Sequence, residues 1–204
     1  MTAGERGFVF RSRWHIGVAV GAAAGIAAAL VLATAGSARP VAVDFAQFAA
    51  LQTGSPPWTN GVAELQDNLA PVHLDALGQE ALAFHIHQHL DVYVNGRHIT
   101  VPAGIGIGAT FITEVHTHRP DGIIHVESPA NRRYTLGQLF GEWDVRLTGN
   151  CLGRYCGRLA SWVDGKLQGG NPAQLVLRPH QEIVIAAGEP PTHIPSGYAF
   201  PVGY

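Results

Sequence analysis

Sulfur and charge are scarce in this chain. Its 204 residues include two cysteines and one methionine, and Asp, Glu, Lys and Arg together make up only 14%. Because the one methionine is the initiator, the sequence argues against the thioether and thiolate ligands that favour Cu(I). The net charge of −2 gives no basic footprint, so no nucleic-acid partner is expected.

Motifs that would assign an activity are missing as well. The chain contains neither a Gly-x-Ser-x-Gly nucleophile motif nor the His-Glu-x-x-His motif of metalloproteases. The glycine-rich stretch 102–108 alternates with isoleucine and leads into no helix with a phosphate-binding lysine, which argues against a nucleotide loop. No internal repeat of useful length is apparent.

Histidine, in contrast, is abundant and regularly spaced. Five of the eleven histidines fall at alternate positions in two short segments, His85, His87 and His89 in the first and His116 and His118 in the second, and His125 follows shortly after. Successive side chains of a strand point to opposite faces, so the first three share one face and apolar residues share the other. A hydrophobic core does not place three imidazoles on one face, and a disordered histidine tract does not alternate with apolar residues. The pattern therefore favours a metal site.

The second segment strengthens this interpretation. Pro120 and Asp121-Gly122 predict a turn over 119–122 between two strands. The resulting register places three pairs opposite each other: His116 and His125, His118 and Ile123, and Glu114 and Glu127. Opposed side chains on one face have Cβ atoms about 4.5 to 5.5 Å apart, within reach of one ion.

We expect the site to have a nucleus and auxiliary groups. The nucleus comprises His85, His87, His116 and His125. His89 and His118 are auxiliary or second-site ligands, and Glu114 and Glu127 are carboxylates that orient the ligands from outside. The remaining histidines are expected to be structural. Among them, His98 lies opposite Tyr93 across an Asn95-Gly96 hairpin, about 13 Å along the strand from His89 and too far to share its ion.

An uncharged segment near the start of the chain predicts export. Residues 16–35 would form about 30 Å of helix, the thickness of a bilayer core. Residues 1–38 carry a net charge of +2, against −4 for the rest, which predicts a cytoplasmic N-terminus. Small residues around 33–38 allow signal-peptide cleavage and secretion. However, the apolar run exceeds the usual 7 to 15 residues or so of a signal peptide, which favours an uncleaved single-span anchor.

The two cysteines agree with export. Cys151 and Cys156 flank a short stretch that contains glycine, and a disulfide closing it would contribute about 2 kcal/mol on the chain-entropy model. A pair of thiolate metal ligands is the alternative. The spacing is wider than the two-residue gap typical of zinc knuckles, and there is no second cysteine pair, so we favour the disulfide.

The rest of the pattern predicts a mainly β fold. Residues 1–38 are the anchor or signal peptide, 39–80 a lead-in with short helices at 44–51 and 61–69, 81–188 a β domain, and 189–204 an extended tail. Thr135 and Gln138 make a capping box before a periodic apolar stretch, which predicts one packed helix. Strands are expected at 159–163, 174–177 and 182–186. We expect a β-sandwich or partly open barrel, preceded by the transmembrane helix.

Two functions fit these features. Imidazole ligands outside the membrane indicate Zn or Cu. The first function is sequestration of the metal, or its delivery to a membrane or extracytoplasmic protein. The alternative is a metalloenzyme, a hydrolase or oxidoreductase with Glu114 or Glu127 as base. His85-Ile86-His87 resembles part of copper/zinc superoxide dismutase and of the cupin motif, but the further ligands of either family are not at compatible positions. The missing catalytic motifs favour binding.

Overall fold

A computed structural model describes residue 1 and residues 40–204. The predicted membrane segment 16–35 lies outside the described residues. Within the described part, no helix is both long and apolar enough to cross a bilayer. Residues 40–204 belong to one compact unit.

The unit is mainly β, as the sequence predicts, with two α-helices. The strands are β1 (Phe84–Val94), β2 (Arg97–Ile99), β3 (Val115–His116), β4 (Ile123–Ser128), β5 (Cys151–Leu152), β6 (Tyr155–Cys156), β7 (Leu159–Val163), β8 (Lys166–Gln168) and β9 (Glu182–Ala187). The helices are α1 (Leu65–Val72) and α2 (Leu136–Glu142). Short 3-10 turns occur at Phe45–Gln47 and Pro172–Gln174.

Seven strands form one mixed sheet in the order β3-β4-β1-β9-β7-β8, with β2 also paired to β1. The long strand β1 pairs antiparallel with β4 and β2 on one side and parallel with β9 on the other. A sandwich or partly open barrel was expected; the described residues form this seven-stranded mixed sheet and a separate two-stranded one. The parallel pairing of β1 with β9 joins residues about ninety positions apart, beyond the reach of local sequence patterns.

Local signals of turns and caps are confirmed. The Asn95-Gly96 turn has positive φ at both residues and places Tyr93 opposite His98. At the start of α2, the side chain of Gln138 accepts a hydrogen bond from the backbone N–H of Thr135 at 2.9 Å. The prediction of a strand at 174–177 is wrong. Pro172 begins a 3-10 turn there, and the chain then bonds through Leu175 and Leu177 to the segment that leads into α2.

The two faces of the sheet differ in character. One face packs under α2 in the hydrophobic core, which contains Leu90, Val92, Val94, Ile124, Val126, Leu136, Leu139, Phe140, Trp143, Ile183 and Ile185. The opposite face carries the histidines. Residues of the tail lie on this second face: Tyr198 stacks on His89 with ring centroids 3.8 Å apart, and the ring of Tyr204 lies 4.5 Å from that of His87.

Outside the main sheet, β5 and β6 form a two-stranded ladder. Its register places Cys151 directly opposite Cys156, and the two sulfurs are joined as a disulfide. The predicted pairing of the cysteines is present in the structure. Such bonds are typical of proteins in an oxidising, extracytoplasmic compartment.

Candidate metal centre

Three neighbouring strands bring the two histidine segments onto one face of the sheet. Strand β4 lies between β1 and β3, and His125 in β4 is opposite His87 of β1 on one side and His116 of β3 on the other. The predicted register of His116 and His125 is therefore confirmed. The direct pairing of β1 with β4, which also places His85 opposite Glu127, was not predicted, because the turn signals in the sequence pair each histidine segment only with its neighbour in the chain.

A first donor group spans β1 and β4. Its members are His85, His87, His125 and Glu127, whose candidate ligand atoms all lie within 4.8 Å of one another. The Nε2 atoms of His85 and His87 are 3.0 Å apart. Oε1 of Glu127 lies 3.1 Å from Nε2 of His85 and 3.2 Å from Nδ1 of His125. Three imidazoles and one carboxylate oxygen form a compact set of four donors.

A second donor group spans β3 and β4. It comprises His116, His118, His125 and Glu127, again within 4.8 Å of one another. Nδ1 of His116 lies 2.9 Å from the backbone oxygen of Thr113, to which it donates, so Nε2 carries the free lone pair. That Nε2 is 3.9 Å from Oε2 of Glu127. Both atoms are buried and have no hydrogen-bond partner.

Burial keeps the central histidines neutral. Desolvation, assisted by the neighbouring imidazoles, lowers the pKa of His125 to about 2. Burial lowers the pKa of His87 and of His116 to about 4 each, with further contributions from nearby histidines. A neutral imidazole is the form that binds a metal ion. The protein thus presents these three rings in the ligating state at neutral pH.

Glu127 has the opposite shift. Burial, followed by the negative charge of Glu80, raises its pKa to about 7. Its two oxygens lie 3.1 to 3.9 Å from nitrogens of three different histidines. In its ionised form, which a bound cation would favour, this carboxyl group supplies the negative charge that a divalent ion requires among neutral imidazoles.

His89 lies on the same face but takes a different role. Its Nδ1 is 2.8 Å from Oε2 of Glu182, and its Nε2 is 2.9 Å from the backbone oxygen of Asp121. Although burial opposes protonation, the hydrogen bond and charge of Glu182 raise its pKa. Together with Asp91 and Glu182 it forms a third donor group beside a cavity of about 370 Å³. Because both nitrogens are bonded to oxygen, an ion bound to His89 would have to replace its hydrogen bond to Glu182 or to Asp121.

The other residues selected from the sequence have separate partners. Glu114 accepts hydrogen bonds from Arg132 at 2.7 Å and from the backbone N–H of Asp75 at 2.9 Å, and it belongs to none of the donor groups. His98 pairs with Asp91 at 2.9 Å and is half exposed. His118 lies 3.4 Å from Oε1 of Glu80.

Sequence reasoning missed three residues that border the site. Glu80 was assigned to the lead-in, yet it lies beside His118 and acts on Glu127. His180 donates its backbone N–H to the carbonyl of His87 at 2.6 Å, and its Nε2 bonds to the carbonyl of Tyr204. Tyr204 itself lies over the rings of His87 and His125. No local pattern joins these residues to the histidine segments, since all three arrive through long-range packing.

No family model, no curated protein and no solved structure matches the chain. The geometry of the donor groups is therefore the basis for the assignment of a function.

Proposed function

We propose that this protein is an extracytoplasmic, membrane-anchored metal-binding protein that holds Zn(II) or Cu(II) for sequestration or delivery. The metal would be held by the histidine cluster, which is formed by the members of the first two donor groups: His85, His87, His116, His118, His125 and Glu127. The observation that carries the proposal is the pair of unsatisfied atoms, Nε2 of His116 and Oε2 of Glu127. Each is a buried lone-pair donor, and leaving such a group without a partner costs free energy. A cation between them would satisfy both.

The separation of these atoms is nearer to that of two ligands of one metal ion than to that of a hydrogen bond. At 3.9 Å they are too far apart to share a hydrogen bond. With zinc bonds to nitrogen and oxygen of about 2.0 to 2.2 Å, two ligand atoms of a tetrahedral ion lie about 3.4 Å apart. The pair exceeds that separation by about 0.5 Å, which a small rotation of either side chain would close. Together with the neighbouring imidazoles, it supplies the nitrogen and oxygen donors that zinc and Cu(II) accept.

The cellular setting follows from the sequence and the disulfide. Residues 16–35 would anchor the chain, and the pairing of Cys151 with Cys156 supports an oxidising location for the folded part. In that setting the metal partner is Zn(II) or Cu(II), and the recipient of delivered metal is a neighbouring membrane or extracytoplasmic protein.

The metalloenzyme alternative has weaker support. A metal-bound water needs a base, for which the sequence suggests Glu114 or Glu127. Glu114 is held by Arg132 and the backbone N–H of Asp75 and belongs to none of the donor groups. Glu127 lies among the ligand nitrogens, where it fits a direct ligand better than a free base.

Calorimetric titration of Zn(II) and Cu(II) into variants tests the proposal. His116→Ala and His125→Ala are each expected to weaken binding by several kcal/mol, since each removes a direct ligand. Glu127→Gln is expected to exceed the roughly 10- to 100-fold loss typical of a residue that only orients a ligand. His98→Ala is the matched control, because His98 lies on the same face but is paired with Asp91. Equal and small effects in all four variants would mean a diffuse histidine surface and would reject the proposal.

A further inference from the structure

The cluster contains more donors than one ion can use. Structural zinc takes four ligands, whereas six side chains converge here: His85, His87, His116, His118, His125 and Glu127. They separate into two groups, and only His125 and Glu127 belong to both. The first group extends from β4 towards β1 and the second from β4 towards β3. The outer histidines of the two groups thus lie on opposite sides of β4.

Glu127 faces both groups at once. Its Oε1 lies beside Nε2 of His85 and Nδ1 of His125, at 3.1 and 3.2 Å. Its Oε2 points to Nε2 of His116 at 3.9 Å. On this geometry, we propose that the cluster holds two divalent metal ions, one in each group, with the carboxylate of Glu127 bridging them. This inference rests on the proposed metal-binding function and adds the number and arrangement of the ions.

The two positions would differ in coordination. His125 presents Nδ1 beside Oε1, which assigns it to the first ion together with His85 and His87. The first ion then has four protein ligands. The second has His116, His118 and Oε2 of Glu127, which leaves a position open. Closed sites hold a metal firmly, and open sites accept an exchanging ligand, so the second ion is the one suited to transfer.

The charge of two ions is partly balanced within the site. Glu127 and the adjacent Glu80 supply two negative charges against four positive ones. The side chains of His85, His118 and Glu80 are 36%, 34% and 47% exposed, so water reaches the outer side of both groups. Solvent and an anion bound at the open position would screen the remaining positive charge. Ions in carboxylate-bridged pairs lie about 3.5 to 4 Å apart.

Metal counting on the folded domain tests this inference. We expect about two equivalents of Zn(II) or Cu(II) to remain after equilibration and gel filtration. The double variants His85→Ala/His87→Ala and His116→Ala/His118→Ala should each retain one equivalent, and His98→Ala should retain two. In the Cu(II)-loaded protein, magnetic coupling across Glu127 should reduce the integrated paramagnetic resonance signal well below two spins. Each double variant should restore one uncoupled spin.

The outcomes separate this inference from the proposed function. A wild-type protein that saturates with one ion, lost in His125→Ala, overturns the two-ion arrangement but keeps the metal site. No bound ion at all overturns both. Two ions that persist in both double variants, or that give two uncoupled spins, also overturn the bridged pair. If a double variant fails to fold by circular dichroism, the count and the coupling in the wild-type protein decide.

Discussion

At the scale of single residues, the site depends on which nitrogen of each histidine is free. The carbonyl of Thr113 fixes the proton of His116 on Nδ1, and Nε2 turns towards Glu127. His89 lies on the same face, but both of its nitrogens are hydrogen-bonded, one of them to the carboxylate of Glu182. The alternation of histidines predicted the shared face. It contained no information on the hydrogen bonds that separate ligand candidates from structural histidines.

The neutral histidines predict how the stability of the metal-free protein depends on pH. His87, His116 and His125 have folded-state pKa values of about 4, 4 and 2. Their unfolded value is about 6.5, so below that pH the unfolded chain takes up protons that the folded chain does not. Each histidine lowers the unfolding free energy by at most about 1.4 kcal/mol per pH unit in this window. The contribution of these histidines to stability is therefore fully present above about pH 6.5. It is lost as the pH falls towards about 4 for His87 and His116 and towards about 2 for His125.

Glu127 contributes with the opposite sign. Its pKa is about 7 in the folded state, above its ordinary value, so its contribution is lost as the pH rises through that range. Other groups share the sign of Glu127, since the pKa values of Glu114, Glu142, Asp144, Glu182 and His89 are also raised. The contribution of the histidines is therefore measured as a difference between the wild-type protein and a His125→Gln variant, by urea unfolding in the presence of a chelator at about pH 7, 6 and 5. On acidification the variant should gain stability relative to the wild-type protein, and a difference that does not change with pH would contradict this account.

At the scale of elements, the sequence predicted what is locally encoded. The hairpin at Asn95-Gly96, the capped helix α2 and strand β7 follow from turn residues and periodicity. Helix α1 was expected a few residues early, at 61–69, and was not counted as a packed element. The prediction of a strand at 174–177 was wrong because the partner of this stretch, the segment before α2, is remote in the sequence. The decisive pairings of β1 with β4 and β9 depend on the whole chain.

The glycines of α2 allow a close approach of neighbouring elements. A Cβ added at Gly141 would collide with Val72 of α1 and lie 2.9 Å from Cζ of Phe48. Because this core is closely packed, Gly141→Ala is expected to destabilise the protein by about 1 to 3 kcal/mol, despite the higher helix propensity of alanine. Chemical denaturation measures the change.

The matched control is Gly78→Ala, at an exposed glycine with no atom within 4 Å of an added Cβ. It should change stability little. Metal affinity should be unaltered in both variants, since α2 packs on the face opposite the histidines. If Gly141→Ala were as stable as the wild-type protein, the close contact between α1 and α2 would be refuted.

At the scale of the whole molecule, the sheet separates two tasks. One face is buried under α2 and holds the fold together, while the other presents the histidine cluster beneath Tyr204 of the tail. The sequence predicted a mainly β domain with a polar histidine face. It did not predict that both segments share one sheet, because a strand pattern specifies a face and not a neighbour.

Export and anchoring are tested on the full chain. We expect the protein to remain with the membrane after carbonate extraction, because residues 16–35 are long enough to span it. The N-terminus of the isolated protein should precede this segment. Release by carbonate, or an N-terminus immediately after Ala35 or Ala38, would show that the segment is a cleaved signal peptide. The metal site would be unaffected by that result.

Elemental analysis of the full-length protein, purified without a histidine tag, tests the central claim most directly. The donor groups around Glu127 predict that Zn or Cu is present in stoichiometric amount, is removed by a chelator and is regained on addition of the metal. The His116→Ala and His125→Ala variants should lose metal in the same preparation, and His98→Ala should keep it. Folded wild-type protein that contains no stoichiometric metal and takes none up would contradict the account.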